Sequence, residues 1–163
     1  MSLAYLAGPV FQLGYVTNDV DAAVAAYKQN LGIANFSVIN VGKAAGNDAP
    51  YGARIGLAWA GALMIELIQP IGAPAPVYVD DLAPSGKLVT RFNHVGVMVP
   101  ETESWNAITA AVEKQGLKVA WRGSDPARNN VAYVDMRATV GHYVELIHMS
   151  PTMKALFDSV PRN

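Results

Sequence analysis

The sequence predicts an α+β fold of two tandem β-α-β-β-β modules, and three observations carry that prediction. A short strand followed by an amphipathic helical pattern occurs twice. The tripeptide Glu-Leu-Ile closes both copies. The distances between equivalent positions agree to within three residues. The chain has 163 residues, enough for one ordinary domain or two very small ones. Self-similarity at a fixed period is read before any single element, because it sets the architecture.

The first copy opens on Gln12-Leu13-Gly14-Tyr15-Val16 and the second on His94-Val95-Gly96-Val97-Met98. Each places glycine two residues after a polar residue. In the first copy Val20, Val24, Tyr27 and Leu31 then recur at spacings of four, three and four, one face of a helix. Asn18 or Asp19 can cap its start and Gly32 suits its end. In the second copy Trp105, Ile108 and Val112 form the stripe, Thr102 is the candidate cap and Gly116 the stop. Three strand-like runs follow each helix, near 35–39, 54–60 and 62–68, then near 118–121, 131–136 and 143–148. The last run carries Glu66-Leu67-Ile68 in one copy and Glu145-Leu146-Ile147 in the other. Gln12 and Glu66 are 54 residues apart, and His94 and Glu145 are 51 apart, a difference that loops absorb. The expected organisation is a first module over 9–70, a linker over 71–90, a second module over 91–150 and a tail over 151–163. The Gly/Pro-rich stretch from Gln69 to about Arg91 holds Pro70, Pro74, Pro76 and Pro84 and reads as an extended surface connection. The stretch 41–52 reads as a mobile loop, and 153–160 as a short helix. A single module cannot bury its sheet face alone, so the two copies are expected to pair around a shared cleft.

Composition narrows the function. Hydrophobic residues make up 52% of the chain and charged residues 15%, as in a well-buried globular protein. The formal net charge is -1, so no basic excess exists to neutralise phosphates and nucleic acid is not an expected partner. No run of about 18 apolar residues predicts a membrane span. The opening segment MSLAYLAGPV lacks the basic region of a signal peptide. Cysteine is absent, which excludes disulfides, thiolate metal sites and cysteine nucleophiles and is compatible with a cytoplasmic location.

Strand periodicity then places four polar residues. Side chains at even separation share a face. Gln12 lies with Gly14 and Val16, and His94 with Gly96 and Met98. Glu66 lies with Met64 and Ile68, and Glu145 with Tyr143 and Ile147. Leu13 and Tyr15, and Val95, Val97 and Val99, face the other way, toward the helices. A carboxylate buried without a partner in such apolar strands costs several kcal/mol, so equivalent positions in two copies call for a shared charge partner. Gln12, Glu66, His94 and Glu145 therefore read as ligands of one divalent cation. The mixed nitrogen and oxygen set suits zinc, nickel, cobalt, manganese or iron, with positions left for water or substrate. His142, at an odd offset from Glu145, points away, and His148 lies near a strand end; both read as structural or solvated. Tyr143 shares the Glu145 face and is a candidate substrate contact. Arg54 and Arg137 are candidate anion contacts. Trp59, Trp105 and Trp121 read as core or interface residues.

The arrangement resembles the vicinal-oxygen-chelate superfamily of glyoxalases, bleomycin-resistance proteins and extradiol dioxygenases. His94-Val95-Gly96-Val97-Met98-Val99-Pro100 resembles the opening of its module, and Gly141-His142-Tyr143-Val144-Glu145-Leu146-Ile147 its closing strand. The segment 13–32, with Asp19, Asp21, Ala22, Ala23, Tyr27, Leu31 and Gly32, resembles its first strand-helix unit. The resemblance spans about residues 9–150. The Gln, Glu, His, Glu set is similar to that of lactoylglutathione lyases; methylmalonyl-CoA epimerases are similar but usually open with histidine where this chain has Gln12. The resemblance implies a curved-sheet metal-binding cleft and a metal-dependent isomerase, lyase or epimerase. Such an enzyme abstracts a proton α to a carbonyl while the metal stabilises an enediolate. Glu145 is the first candidate for the base and Glu66 the second. The alternative is a small-molecule binding protein of the antibiotic-resistance type. A homodimer is the expected assembly. Lactoylglutathione lyases carry basic and amide residues close to the ligands to hold glutathione, whereas the residues after Gln12 and Glu66 here are largely apolar. An apolar or CoA-linked carbonyl compound therefore stands beside glutathione as the expected substrate class.

Overall fold

The structure is a computed structural model that describes residues 9–46, 51–72, 75–79, 82, 86–125 and 129–163. Most of the opening segment, residues 47–50 of the expected loop and residues 73–74, 80–81 and 83–85 of the expected linker lie outside the described residues. The fold is α+β. Among the described residues, eight strands and five helices follow one another as β1 (Val10–Thr17), α1 (Val20–Leu31), β2 (Ser37–Gly42), β3 (Tyr51–Ala60), β4 (Leu63–Gly72), α2 (Pro76–Val79), β5 (Thr90–Met98), α3 (Thr102–Lys114), β6 (Val119–Asp125), β7 (Asn129–Asp135), α4 (Arg137–Val140), β8 (Tyr143–Met149) and α5 (Pro151–Asp158). None of the described helices is long and apolar enough to cross a membrane.

Two units divide the chain. One comprises Leu13–Asn93 with Val160–Asn163, and the other Met1–Gln12 with His94–Ser159. The boundaries fall inside β1 and β5, so Gln12 belongs to the same unit as His94 and Glu145.

In the unit of Leu13–Asn93 the strands lie in the order β2-β3-β4-β1, with β3 antiparallel to both β2 and β4. Helix α1 starts where two side chains meet its first free amides. The Asp19 carboxylate accepts from the Ala22 N–H at 3.0 Å and the Gln69 side-chain Oε1 from the Val20 N–H at 3.1 Å. It stops at Gly32, whose φ of 71° is left-handed. Val20 and Ala23 of α1 are buried against Ile65 and Leu67 of β4, with Leu13, Tyr15, Val24 and Tyr27 packed around them. The residues facing the helix are thus those that strand parity put there. Burial pushes the Tyr27 hydroxyl well above the usual phenol range. The linker region is more ordered than a purely extended connection. Pro76, with φ preset for a first helical turn, begins α2; Ala75 and Val77 are buried, and the Asn93 amide donates to the Val77 carbonyl at 2.9 Å. Farther on, Asn18 pins residues 87–89, donating to the Lys87 carbonyl and accepting from the Val89 N–H, each at 2.9 Å.

In the other unit the order is β5-β8-β7-β6, with the start of β1 beside β5, where the Met98 N–H donates to the Pro9 carbonyl. Strand β5 is parallel to β8, and β7 is antiparallel to β8 and β6. Val97, Val99, Val144 and Leu146 are buried against Ile108 and Val112 of α3, with Val95 and Trp105 packed on them. The cap of α3 differs from expectation. Glu101 holds the cap position and makes no side-chain cap bond, while the Thr102 hydroxyl lies 3.3 Å from His148 Nε2. Helix α5 starts earlier than expected, at Pro151. The Ser150 hydroxyl accepts from the Met153 N–H, and the proline takes the first turn, where no amide donor is needed.

Candidate metal centre

The donor residues are carried on faces opposite the helices. Glu66 sits in β4 between Ile65 and Leu67, which pack under α1, and is 9% exposed. Glu145 sits between Val144 and Leu146, which pack under α3, and is 7% exposed. His94 and Gln12 are 0% and 1% exposed. All four are therefore withdrawn from water, which for a carboxylate is costly without compensating charge. Glu66, His94 and Glu145 are each buried, and imidazole and carboxylate groups are of the kind that ligate divalent metal ions.

Three of the four expected ligands come together in the unit of His94–Ser159. The parallel register of β5 and β8 puts His94 beside Tyr143 and Gly96 beside Glu145. His94 Nε2 lies 3.1 Å from Glu145 Oε2. Two ligands held about 2.1 Å from one ion stand roughly 3.0–3.4 Å apart, so this pair has the spacing of neighbouring positions on a single cation. Imidazole nitrogen, carboxylate and amide oxygen together suit a borderline divalent ion.

Gly96 makes the arrangement sterically possible. A Cβ there would meet Gln12 Oε1 at 2.6 Å and Gln12 Cβ at 2.8 Å. The Gln12 side chain thus occupies the space that a side chain at 96 would fill. Rotation about χ1 can move the amide but not the Gln12 Cβ, so the second contact persists in every rotamer. Gly96→Ala is expected to destabilise the protein by about 1–3 kcal/mol, the range for overpacking, and to weaken metal uptake by displacing the Gln12 amide. Denaturant unfolding and zinc titration read the two effects. Adding Gln12→Gly should restore stability but not uptake.

The remaining expected residues divide. Tyr143 is on the ligand face and 4% exposed, with the Arg137 guanidinium over its ring at 4.6 Å. Arg137 also grips Asp135, Nη2 to Oδ2 at 2.8 Å, and holds that carboxyl below the usual carboxylate range. The stabilisation from this pair is present above the ordinary value of 3.8 and is lost as pH falls through the lower folded one. Arg54 is placed elsewhere. Its register partner is Gln69, at an odd offset from Glu66, and its guanidinium pairs with Asp21 of α1 at 2.8 Å and 3.0 Å. This contact lowers the Asp21 pKa and raises that of Arg54, and it is made on the helix side of the sheet. His142 Nδ1 lies 2.7 Å from the Tyr143 carbonyl and His148 Nδ1 lies 2.9 Å from the Val99 carbonyl, so both rings serve backbone groups.

Sequence reasoning missed Tyr133. It is 1% exposed, lies directly across from Glu145, and meets the His94 ring edge-on at 5.1 Å. Finding it required the β7–β8 register, which the α4 turn and Gly141, at φ 85°, set. That glycine was the available signal.

Residues 11–134 match the sequence profile of the Glyoxalase/Bleomycin resistance protein/Dioxygenase superfamily. No curated protein matches the chain. Among solved structures, the methylmalonyl-CoA epimerase of Mycobacterium tuberculosis aligns with a TM-score of 0.60 at 16% identity, over 90% of this chain and 91% of that one. A variant of Streptomyces coelicolor methylmalonyl-CoA epimerase in complex with 2-nitronate-propionyl-CoA aligns at 0.61 and 16%, over 88% and 96%. A hypothetical protein from Bacillus halodurans C-125 aligns at 0.60 and 14%, over 87% and 94%. At these identities the likeness is one of fold.

Proposed function

The chain belongs to the glyoxalase/bleomycin-resistance/dioxygenase superfamily, and on that premise we propose that it is a metal-dependent isomerase, lyase or epimerase that moves a proton α to a carbonyl. The observation that carries the reading is the buried His94–Glu145 pair at 3.1 Å. Gln12 and Glu66 complete the proposed ligand set. Zinc, nickel, cobalt, manganese and iron all suit these donors. When bound, such a cation supplies Lewis acidity to the substrate's carbonyl oxygen.

The chain's own groups do the rest. Glu145 takes the proton from the carbon next to the carbonyl and returns it to the same or the neighbouring carbon. Glu66 is the second candidate for that role. His94 and Gln12 hold position, Gln12 because Gly96 leaves room for it. Burial of the donors keeps water from competing for the proton. The methylmalonyl-CoA epimerases that share the fold make a CoA thioester a reasonable substrate class to test, alongside hemithioacetals. The protein is proposed to work in the cytoplasm as a homodimer.

The experiment is elemental analysis of the purified protein, then assays with methylglyoxal hemithioacetal and methylmalonyl-CoA after metal addition. Stoichiometric metal with turnover of either compound is the expected result. Metal-free protein that turns over neither, but binds an aromatic or peptide drug, would replace the enzyme reading with a sequestering one.

A further inference from the structure

We propose that Trp121 is a specificity-determining residue that stacks a planar aromatic group of the ligand, carried at the far end of a carbonyl compound held beside Glu145. This rests on the metal reading above and adds a substrate class to it. The antiparallel registers of β8, β7 and β6 align Glu145, Tyr133 and Trp121 in one row, since directly opposed residues share a face. Strands lie about 4.8 Å apart, so the row places Trp121 roughly 10 Å from Glu145. The rings of Tyr133, Tyr143 and Trp121 differ in what they offer. Tyr133 is 1% exposed and enclosed by the rings of His94, Trp121 and Tyr143, at 5.1, 5.8 and 6.2 Å. Tyr143 is 4% exposed and covered by Arg137. Trp121 is half-buried, so its indole is the ring of this row that a ligand can reach.

The indole is also held in a particular attitude. A Cβ at Gly123 would meet Trp121 Cη2 at 2.6 Å, Cζ3 at 3.1 Å and Cζ2 at 3.2 Å. The ring therefore lies down along β6, over the glycine two residues ahead on the same face, rather than standing away from the sheet. An indole lying flat presents its π-face, the surface that offset stacking uses. The absent side chain at 123 thus seats the platform, as the one at 96 seats Gln12.

Two 2-oxo acids of similar reach separate the possibilities: 2-oxo-5-phenylpentanoate, with an aryl end, and 2-oxononanoate, with an alkyl end. Calorimetric titration is run on the zinc-loaded protein and on the metal-free protein. The wild type should bind the aryl acid about three- to ten-fold more tightly than the alkyl acid, the range set by ring stacking. Trp121→Leu and Gly123→Ala should each bring that ratio close to unity, the second by lifting the indole off the strand. Zinc affinity should stay at the wild-type value in both variants, which a general loss of structure would not allow. Equal binding of the two acids by the wild type, or a ratio that survives both substitutions, would overturn the proposal. Because the indole is not among the ion's proposed ligands, the ratio should persist without metal. Failure of the metal reading shows separately, as absence of zinc uptake.

Discussion

Replacing Glu145 by glutamine is expected to lower turnover by at least about 10²–10⁴-fold, the usual contribution of a positioned general base, while the protein keeps its fold. Glutamine is nearly isosteric with glutamate but cannot accept the proton. It also offers a neutral oxygen where the carboxylate stood 3.1 Å from His94 Nε2, so metal affinity should fall as well. Stability runs the other way. A buried carboxylate carries a desolvation penalty that an amide does not, so without metal the thermal midpoint should stay level or rise. Saturating metal separates the two losses, because a variant lacking only affinity recovers and one lacking the base does not. Wild-type turnover in Glu145→Gln would remove the residue from the mechanism.

Leu146→Ala, one residue farther along β8, is expected to do the opposite. Leu146 is 0% exposed among Val97, Val99, Ile108 and Val112, beneath α3. Truncation removes its buried methyl groups and leaves a cavity that a strand and a helix cannot close, at a cost of about 2–5 kcal/mol. The midpoint of denaturant unfolding reads the loss. At a temperature where the variant is still folded, turnover per folded molecule should stay near wild type, since Leu146 faces away from the donors. The pair tests strand parity directly, with chemistry on one side of β8 and cohesion on the other. A mild stability loss in Leu146→Ala would mean that α3 packs less closely on β8 than the buried cluster implies.

That parity was legible because it needs only period-two counting within a strand. It put Leu13 and Tyr15 under one helix, Val95, Val97 and Val99 under the other, and the polar residues opposite. Helix limits set by glycine were legible for the same local reason, as at Gly32 and Gly116, both left-handed. What depends on pairing between strands was not. Strand β3 begins at Tyr51 and β4 runs to Gly72 because hydrogen-bonded partners extend them past the apolar runs. Tyr133 faces Glu145 through a register set by the α4 turn that ends at Gly141, not by the period-two pattern of either strand. Arg54 reads as a candidate anion contact in sequence, and its partner Asp21 lies 33 residues away. Gln12 is written in the first copy but grouped with His94 and Glu145, because the unit boundary cuts β1 immediately after it. Gly96 is where the two strands meet most closely, since a Cβ there would run into the Gln12 side chain.

The account stands on one divalent ion held by donors from both copies of the repeat. Titration of metal-free protein with zinc, read by competition with a chromophoric chelator, tests that claim most directly. The prediction is one ion per chain, with affinity reduced at least about tenfold to a hundredfold by His94→Ala, by Glu145→Gln and by Glu66→Gln alike, losses no smaller than those seen when mere supporting residues are removed. A wild-type protein that takes up no ion, or a Glu66→Gln variant that binds zinc as tightly as the wild type, would contradict it.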